Sequence, residues 1–271
     1  MKTSTASRLA VAGALCAAIA HVVRQTDAAA QPPAPQQAEA PRFPFRIGEV
    51  SQYEVRFGPL KVGSGSMEVM GTEVVRGRVT WHTVFRVKGG TFFYRVNDRL
   101  ESWVDTATFA SLRHVQDLNE GSRDRERHFE IFPERQTYIE DQKPEQPSVA
   151  EPLDDGSFLY FIRTVPLEVG QTYSFHRYFR PDRNPVKIAV LRKERVKVPA
   201  GEFDAVVISP SIKTKGIFSE NGHAEVWLSD DENRVILQMK SKLSFGSLNL
   251  YLRSYRPAAA AIQQEAATTS P

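Results

Sequence analysis

Apolar and polar residues alternate with a period of two through most of the middle of the chain. QYEVRF puts Tyr53, Val55 and Phe57 on one face and Gln52, Glu54 and Arg56 on the other. VTWHTVFRV sets Val79, Trp81, Phe85 and Val87 against Thr80, His82 and Arg86. HAEVWL, VILQM, KLSF and LNLYLRSY repeat the habit. Successive side chains of a strand point to opposite faces, so the pattern predicts strands with one buried and one wet face, and hence an antiparallel sheet. Turn signals recur about every 8 to 12 residues, the spacing of sandwiches and barrels. GPLKVGSG (58–65) predicts the first connection, and Gly89-Gly90 predicts another. VPAGEF (198–203), with Pro then Gly between apolar runs, predicts a hairpin.

One segment changes period. DDGSFLYFIRTVPLEVG spaces Phe158, Phe161, Ile162 and Val165 as on a helix, with Asp154, Asp155 or Ser157 to cap it and Pro166 to stop it. It predicts a short helix over about residues 155–164. Sheets of roughly ten or more strands tend to curl or close. The fold class is therefore mainly β: a large curved antiparallel sheet or partly open β-barrel, with the short helix closing one mouth or lying in the concavity.

The N-terminus adds an address. Lys2 and Arg8 precede LAVAGALCAAIA (residues 9–20), and Ala28 and Ala30 supply small residues at −3 and −1 before Gln31. A membrane span needs roughly 20 apolar residues, so the pattern reads as a signal peptide over 1–30, with export to the bacterial periplasm. Leu15 before Cys16 departs from a lipoprotein signal, which wants a small residue there. Residues 31–42, QPPAPQQAEAPR, read as a disordered linker, and 258–271 as a disordered tail. A single β-rich domain is left over 43–257. Cys16 is the sole cysteine, so removal of the signal leaves no thiol for a disulfide, a zinc–thiolate site or a nucleophile. Removal also leaves 32 basic and 31 acidic residues, which gives no basis for nucleic-acid binding. A mature chain of this composition is not an integral membrane protein.

Motifs for chemistry are sparse. His82, His114, His128, His176 and His223 are scattered, and His223–Glu225 is the nearest approach to a metal pair. Zinc wants three or four ligands, so no metal and no cofactor is expected. No nucleophile elbow or phosphate loop occurs, and no catalytic residue is nominated. WLSDDENRV (227–235) places Asp230, Asp231 and Glu232 together, but between two strands they read as a hairpin turn. SRDRERHFEIF (122–132) alternates Arg123, Arg125 and Arg127 with Asp124, Glu126 and His128. It reads as a charged edge strand that discourages chance pairing, or as a basic ledge for an anionic group.

Aromatic residues are the remaining signal. TFFYRVNDRLESWVD, FLYF and YSFHRYF concentrate rings that line a cavity or fill a core. The candidate cavity residues are Trp81, Phe85, Phe93, Trp103, Tyr160, Phe161, Arg163 and Trp227. Arg163 is the polar candidate among them. Its plainer role is a buried ion pair, for instance with Glu101 or Asp105, holding helix to sheet.

Several stretches together carry a family resemblance: FRIGEVSQYEVRFGPLKVGSGSMEV, VNDRLESWVD, DDGSFLYFIRTVPLEVG, ERVKVPAGEFDAVVISP and AEVWLSDDENRVILQMKSKLSFGSLNLYL. Over about 43–256 the chain resembles the bacterial exported family known as domain of unknown function 3108. The resemblance implies an exported β-rich domain of the Gram-negative envelope and assigns no catalytic residue. Three functions stand open. The first is a non-catalytic binding or assembly protein with a lipid or other apolar ligand, or an envelope protein partner. The second is a surface-acting structural or interaction module. The third is an envelope hydrolase built on a carboxylate pair or a His–acid couple.

Overall fold

The structure is a computed structural model that describes residues 43–91, 94–213, 218, 224–243 and 246–258. The segments expected to be signal and linker, and most of the expected tail, lie outside the described residues. The N-terminal half supplies β1 (Val50–Phe57), β2 (Leu60–Val75), β3 (Arg78–Thr91), β4 (Tyr94–Asp105), β5 (Ser111–Glu120), β6 (Arg123–Phe132), β7 (Thr137–Glu140) and β8 (Gln146–Pro147). After the helix α1 (Asp155–Phe161) come β9 (Thr172–Phe175), β10 (Val186–Val198), β11 (Gly201–Ser211), β12 (Glu225–Ser229), β13 (Ile236–Leu243) and β14 (Gly246–Arg256).

All fourteen strands form one antiparallel sheet, ordered β8 to β1 and then β14 to β9. Each strand pairs with its neighbours in sequence except β8 with β9, and β1 pairs with β14 from Val50↔Arg256 to Phe57↔Leu248. That last pairing sets the two halves side by side, so the free edges belong to mid-chain strands, β8 and β9. The sheet is an open barrel. Its edges meet through irregular structure: Leu153 N donates to Arg177 O at 2.5 Å and Phe179 N to Leu153 O at 2.9 Å. Ser148 Oγ donates to Phe179 O, and Phe179 packs edge-on against Phe129 and Tyr138.

The turn signals divide in two. VPAGEF forms the β10–β11 hairpin, with Val198 paired to Gly201. GPLKVGSG does not form a loop: only Gly58-Pro59 turns, and β2 begins at Leu60. Gly89 and Gly90 likewise lie inside β3. The reason is close approach. Gly63 and Gly89 face each other in the ladder, and a Cβ on either would run into the backbone carbonyl of the facing strand. These glycines admit a tight crossing of two strands and do not mark a turn.

Helix α1 is shorter than its pattern predicts, with residues 162–164 continuing as a turn. Asp154 caps it, accepting from Gly156 N and Ser157 N at 2.8 Å each, while Ser157 Oγ accepts from Asp154 N. Every residue from Gly156 to Phe161 is buried. A helix buried all round belongs inside a core, and α1 lies against β3 and β4 within the curl. Gly156 is required there, since a Cβ would sit 2.5 Å from Ser102 Oγ.

Candidate functional site

The site is an aromatic cradle at one end of the curled sheet, with an open polar cleft above it. Trp81 of β3, Phe109 of the β4–β5 turn and Tyr160 and Phe161 of α1 bring their rings together. Into this group the segment Phe43-Pro44-Phe45 is wedged. Phe43 meets Trp81 edge-on at 4.7 Å and Phe109 at 5.3 Å. Phe45 meets Trp81 at 5.3 Å and Tyr160 at 5.2 Å. Such pairs add about 0.5–1.5 kcal/mol each beyond area burial.

Arg163, in the turn after α1, stands at the rim and is 2% exposed. Its Nη1 donates to Glu49 Oε1 at 2.6 Å, and its Nη2 donates to Pro44 O at 2.6 Å and Asn233 O at 2.8 Å. The expected partners are thereby corrected. Glu101 binds His82 and Arg99, and Asp105 pairs with Arg78. Glu49 lies 114 positions from Arg163, and no local pattern connects them. Tyr255 OH also donates to Glu49 Oε2 at 3.2 Å. Burial, with the Glu49 carboxylate beside it, pushes the Tyr255 phenol up to about 12. Burial raises the Tyr160 phenol well above its ordinary range.

Above Arg163 lies a cleft of ≈ 880 Å³, bounded by residues 43–46, Glu49, Leu167, the β12–β13 loop and the start of the tail at Pro257. The loop is the WLSDDENRV hairpin, so the turn reading of its acids holds. Asp231 Oδ1 accepts from Asn233 N at 2.9 Å and Arg234 N at 3.0 Å, which fixes the turn, and Asp230 pairs with Lys193. The acids do not merely face water, however. They form one wall of the cleft, and Asn233 O is a partner of Arg163.

Of the eight cavity candidates, Trp81, Phe85, Tyr160, Phe161 and Arg163 lie on the helix-bearing side, with Phe85 buried further along β3. Trp103 does not join them. Register pairs it with His82, and directly opposed residues share a face. Trp103 therefore lies on the outer face, stacked on His82 at 4.4 Å. Trp227 shares its face with Val207 and Arg192, and its ring is covered by Arg192 and Lys240. Phe93 lies outside the described residues. Phe43, Phe45, Glu49 and Phe109 went unpredicted. RFPF (42–45) offered an aromatic signal at the domain's start, but only tertiary contact shows what it packs on.

Two histidine–acid clusters bear on catalysis. His82 lies between two carboxylates, its Nε2 2.7 Å from Glu101 Oε2 and its Nδ1 2.9 Å from Glu73 Oε1, so neither ring nitrogen is open. His114 and Asp154 lie at 3.3 Å with Ser102 beside them, a grouping of hydrolase residue types, yet both side chains are fully buried. Ser102 Oγ donates to Asp154 Oδ1 at 2.6 Å, and His114 Nδ1 is held by Glu101 O at 2.7 Å. The serine proton points at the acid and the acid caps a helix, the reverse of a triad's order. Among the described residues no group of three or more metal-ligating side chains converges.

The site thus sits at one end of an antiparallel, barrel-like sheet whose strand ladder stays open. The chain belongs to the family described as "Protein of unknown function (DUF3108)", which it matches over residues 52–253. Among solved structures it is similar to the beta-barrel-like protein of domain of unknown function DUF1849 from Brucella abortus. That likeness has 10% identity and a TM-score of 0.52, covering 79% of this chain and 99% of that one. It is also similar to a "putative lipoprotein" from Parabacteroides distasonis, at 14% identity and a TM-score of 0.36, covering 79% and 98%. The first likeness shows the fold. No curated protein matches the chain. Among the described residues no helix is long and apolar enough to cross a membrane.

Proposed function

We propose that this protein is an exported, non-catalytic binding protein of the bacterial cell envelope that holds an apolar, lipid-like ligand at the mouth of its curled sheet. One observation carries the reading. An aromatic cradle of Trp81, Phe109, Tyr160 and Phe161 takes up the rings of Phe43 and Phe45, which in turn line a cleft beside the buried Arg163 guanidinium. Vacated by those rings, the cradle offers the apolar lining, and Arg163 the fixed polar group, that ligand sites combine. The signal-like N-terminus supports export, with cleavage near Ala30 and the linker as a tether. The histidine chemistry supports a non-catalytic role, because His82 has no free nitrogen and His114 is sealed in the interior.

Native mass spectrometry on protein purified from a membrane-containing lysate tests the reading. Bound lipid or another apolar molecule is expected, and its loss is expected in Trp81→Ala. A chain that is empty in every preparation would sink it.

A second reading has one observation in its favour. β7 pairs only with Phe129–Phe132 of β6, which leaves the stretch from Arg123 beyond the reach of that strand. This charged half-edge suits a surface-acting interaction module that receives an envelope protein partner by strand addition.

A further inference from the structure

We propose that residues 43–47 are a displaceable strap occupying the ligand's place, and that the ligand is a single-chain acyl ester or amide whose carbonyl takes over the Arg163 bond now made by Pro44. The proposal rests on the apolar-ligand reading above and specifies how the site is gated and what head group it takes.

The strap already displays the chemistry of such a ligand. Two apolar rings, Phe43 and Phe45, flank a neutral carbonyl, Pro44 O, and that carbonyl accepts from Arg163 Nη2 at 2.6 Å. Apart from the ring contacts of Phe43 and Phe45, little else holds the strap. Its further backbone tie is Arg46 O accepting from Glu49 N at 3.1 Å, and Arg46, Ile47 and Gly48 are exposed. Ile47 leaves nearly half of its apolar surface in water, at 48%. Gly48, at the junction between the strap and β1, has φ +85°, a backbone state that only glycine adopts freely, and its N donates to Val69 O of β2 at 2.8 Å, so the strap pivots on a residue fixed to the sheet. Beyond it Glu49 is anchored by Arg163, Tyr255 and the edge of β2, so a swing of the strap ends there.

Beneath the strap two polar atoms stay unsatisfied. Tyr160 OH and Arg163 Nε, on side chains about 2% exposed, have no hydrogen-bond partner among the described residues. Buried donors without partners are rare in native folds and costly. The site as occupied by the strap is therefore incomplete, and a ligand reaching past Phe45 meets donors that the strap leaves unused.

The choice of a neutral head follows from charge. Glu49 already matches the Arg163 charge at 2.6 Å, and Asp231 and Glu232 line the same cleft. A free carboxylate would meet these acids, whereas an ester or amide carbonyl asks only for the donor that Pro44 releases.

If the strap competes with the ligand, apparent affinity is reduced by the fraction of molecules with the strap open. Binding of 1-decanoylglycerol to the full-length mature protein, followed by calorimetry, tests this. Phe43→Ala/Phe45→Ala is expected to bind at least tenfold more tightly than wild type, and Phe43→Leu/Phe45→Leu, which refills the cradle, close to wild type. Sodium decanoate is expected to bind less tightly than the ester in all three. In wild type, saturating ester is expected to speed amide hydrogen exchange at residues 45–48. If the double alanine variant does not fold, Phe43→Ala alone, truncating the less buried ring, is expected to gain at least threefold. Equal affinity across the variants, or slowed exchange in the strap, overturns the strap while leaving the ligand-binding reading intact. Decanoate binding as tightly as the ester overturns the assigned head group. Absence of binding by every variant overturns the ligand-binding reading and the strap with it.

Discussion

Arg163 is the residue on which the candidate site depends. Its guanidinium is buried with one carboxylate and two carbonyls, and its Nε has no partner among the described residues. Removing one member of a buried ion pair strands the other charge, at a cost of about 3–5 kcal/mol. Arg163→Met is therefore expected to lower stability in urea unfolding by that order, and Arg163→Met/Glu49→Gln by less than the single change. If the double variant is the weaker one, Glu49 is not the charge that Arg163 balances. Asp231 works on a smaller scale. Its Oδ1 holds two backbone N–H groups of the hairpin. Asp231→Asn keeps an acceptor and is expected to cost under about 1 kcal/mol, as most surface changes do. Asp231→Ala removes it and is expected to cost roughly 1 kcal/mol more, by analogy with lost helix caps. Equal midpoints for Asn and Ala would show that the turn does not need the side chain.

Among the elements, α1 and the β2–β3 hairpin show opposite uses of glycine and of caps. α1 is seven residues long, too short to persist alone. It forms because Asp154 caps it and because the sheet surrounds it. Ser102 and Ser111 reach it from β4 and β5, donating to Asp154 Oδ1 and Ser157 Oγ at 2.6 and 2.9 Å. Gly156→Val is expected to destabilise by at least 2 kcal/mol in urea unfolding, since overpacking a filled core typically costs about 1–3 kcal/mol and Ser102 Oγ must also be displaced. The paired Gly63 and Gly89 predict a similar loss for Gly89→Val, with no loop to absorb it. A near-neutral result at Gly89 would mean that β2 and β3 can part there without cost. Alternation located these strands, but glycine as a turn signal misplaced their ends, because a crossing and a turn demand the same missing side chain.

The whole molecule is a sheet whose first and last strands pair and whose mid-chain edges are sealed by side chains. Its buried phenols give it a pH signature. Burial raises Tyr53, Tyr160 and Tyr178 above the ordinary phenol range, and Tyr255 rises to about 12. A group whose folded pKa is raised adds stability below its unfolded pKa, and that stability is lost as pH rises through the folded value. The urea midpoint is therefore expected to fall from about pH 10, the unfolded phenol value, toward pH 12, and to fall less steeply in Tyr255→Phe. A flat profile over that window would contradict the burial of these rings. Acid acts in the opposite sense at Asp105. Burial opposes its ionisation, but the N–H groups of Thr108 and Ala107 and the Arg78 charge prevail and hold its pKa below the usual range. That contribution is present above the unfolded carboxyl value and is lost as pH falls through the lowered one.

Period two, the lone helical segment and the family stretches were local facts, so the strands, the short helix and the antiparallel sheet were legible in the sequence. So was the hairpin at Asp230-Asp231, because turn chemistry depends on neighbours. Pairing of β1 with β14, the placement of Trp103 and Trp227 on the outer face and the Glu49–Arg163 pair were not legible. Each depends on register or curvature between residues far apart in the chain, and a one-residue shift in register sends a side chain to the opposite face. Alternation determined that there would be an inside and an outside. Only the curling of the sheet decided which aromatic rings met there, and that Phe43 and Phe45 would lie among them.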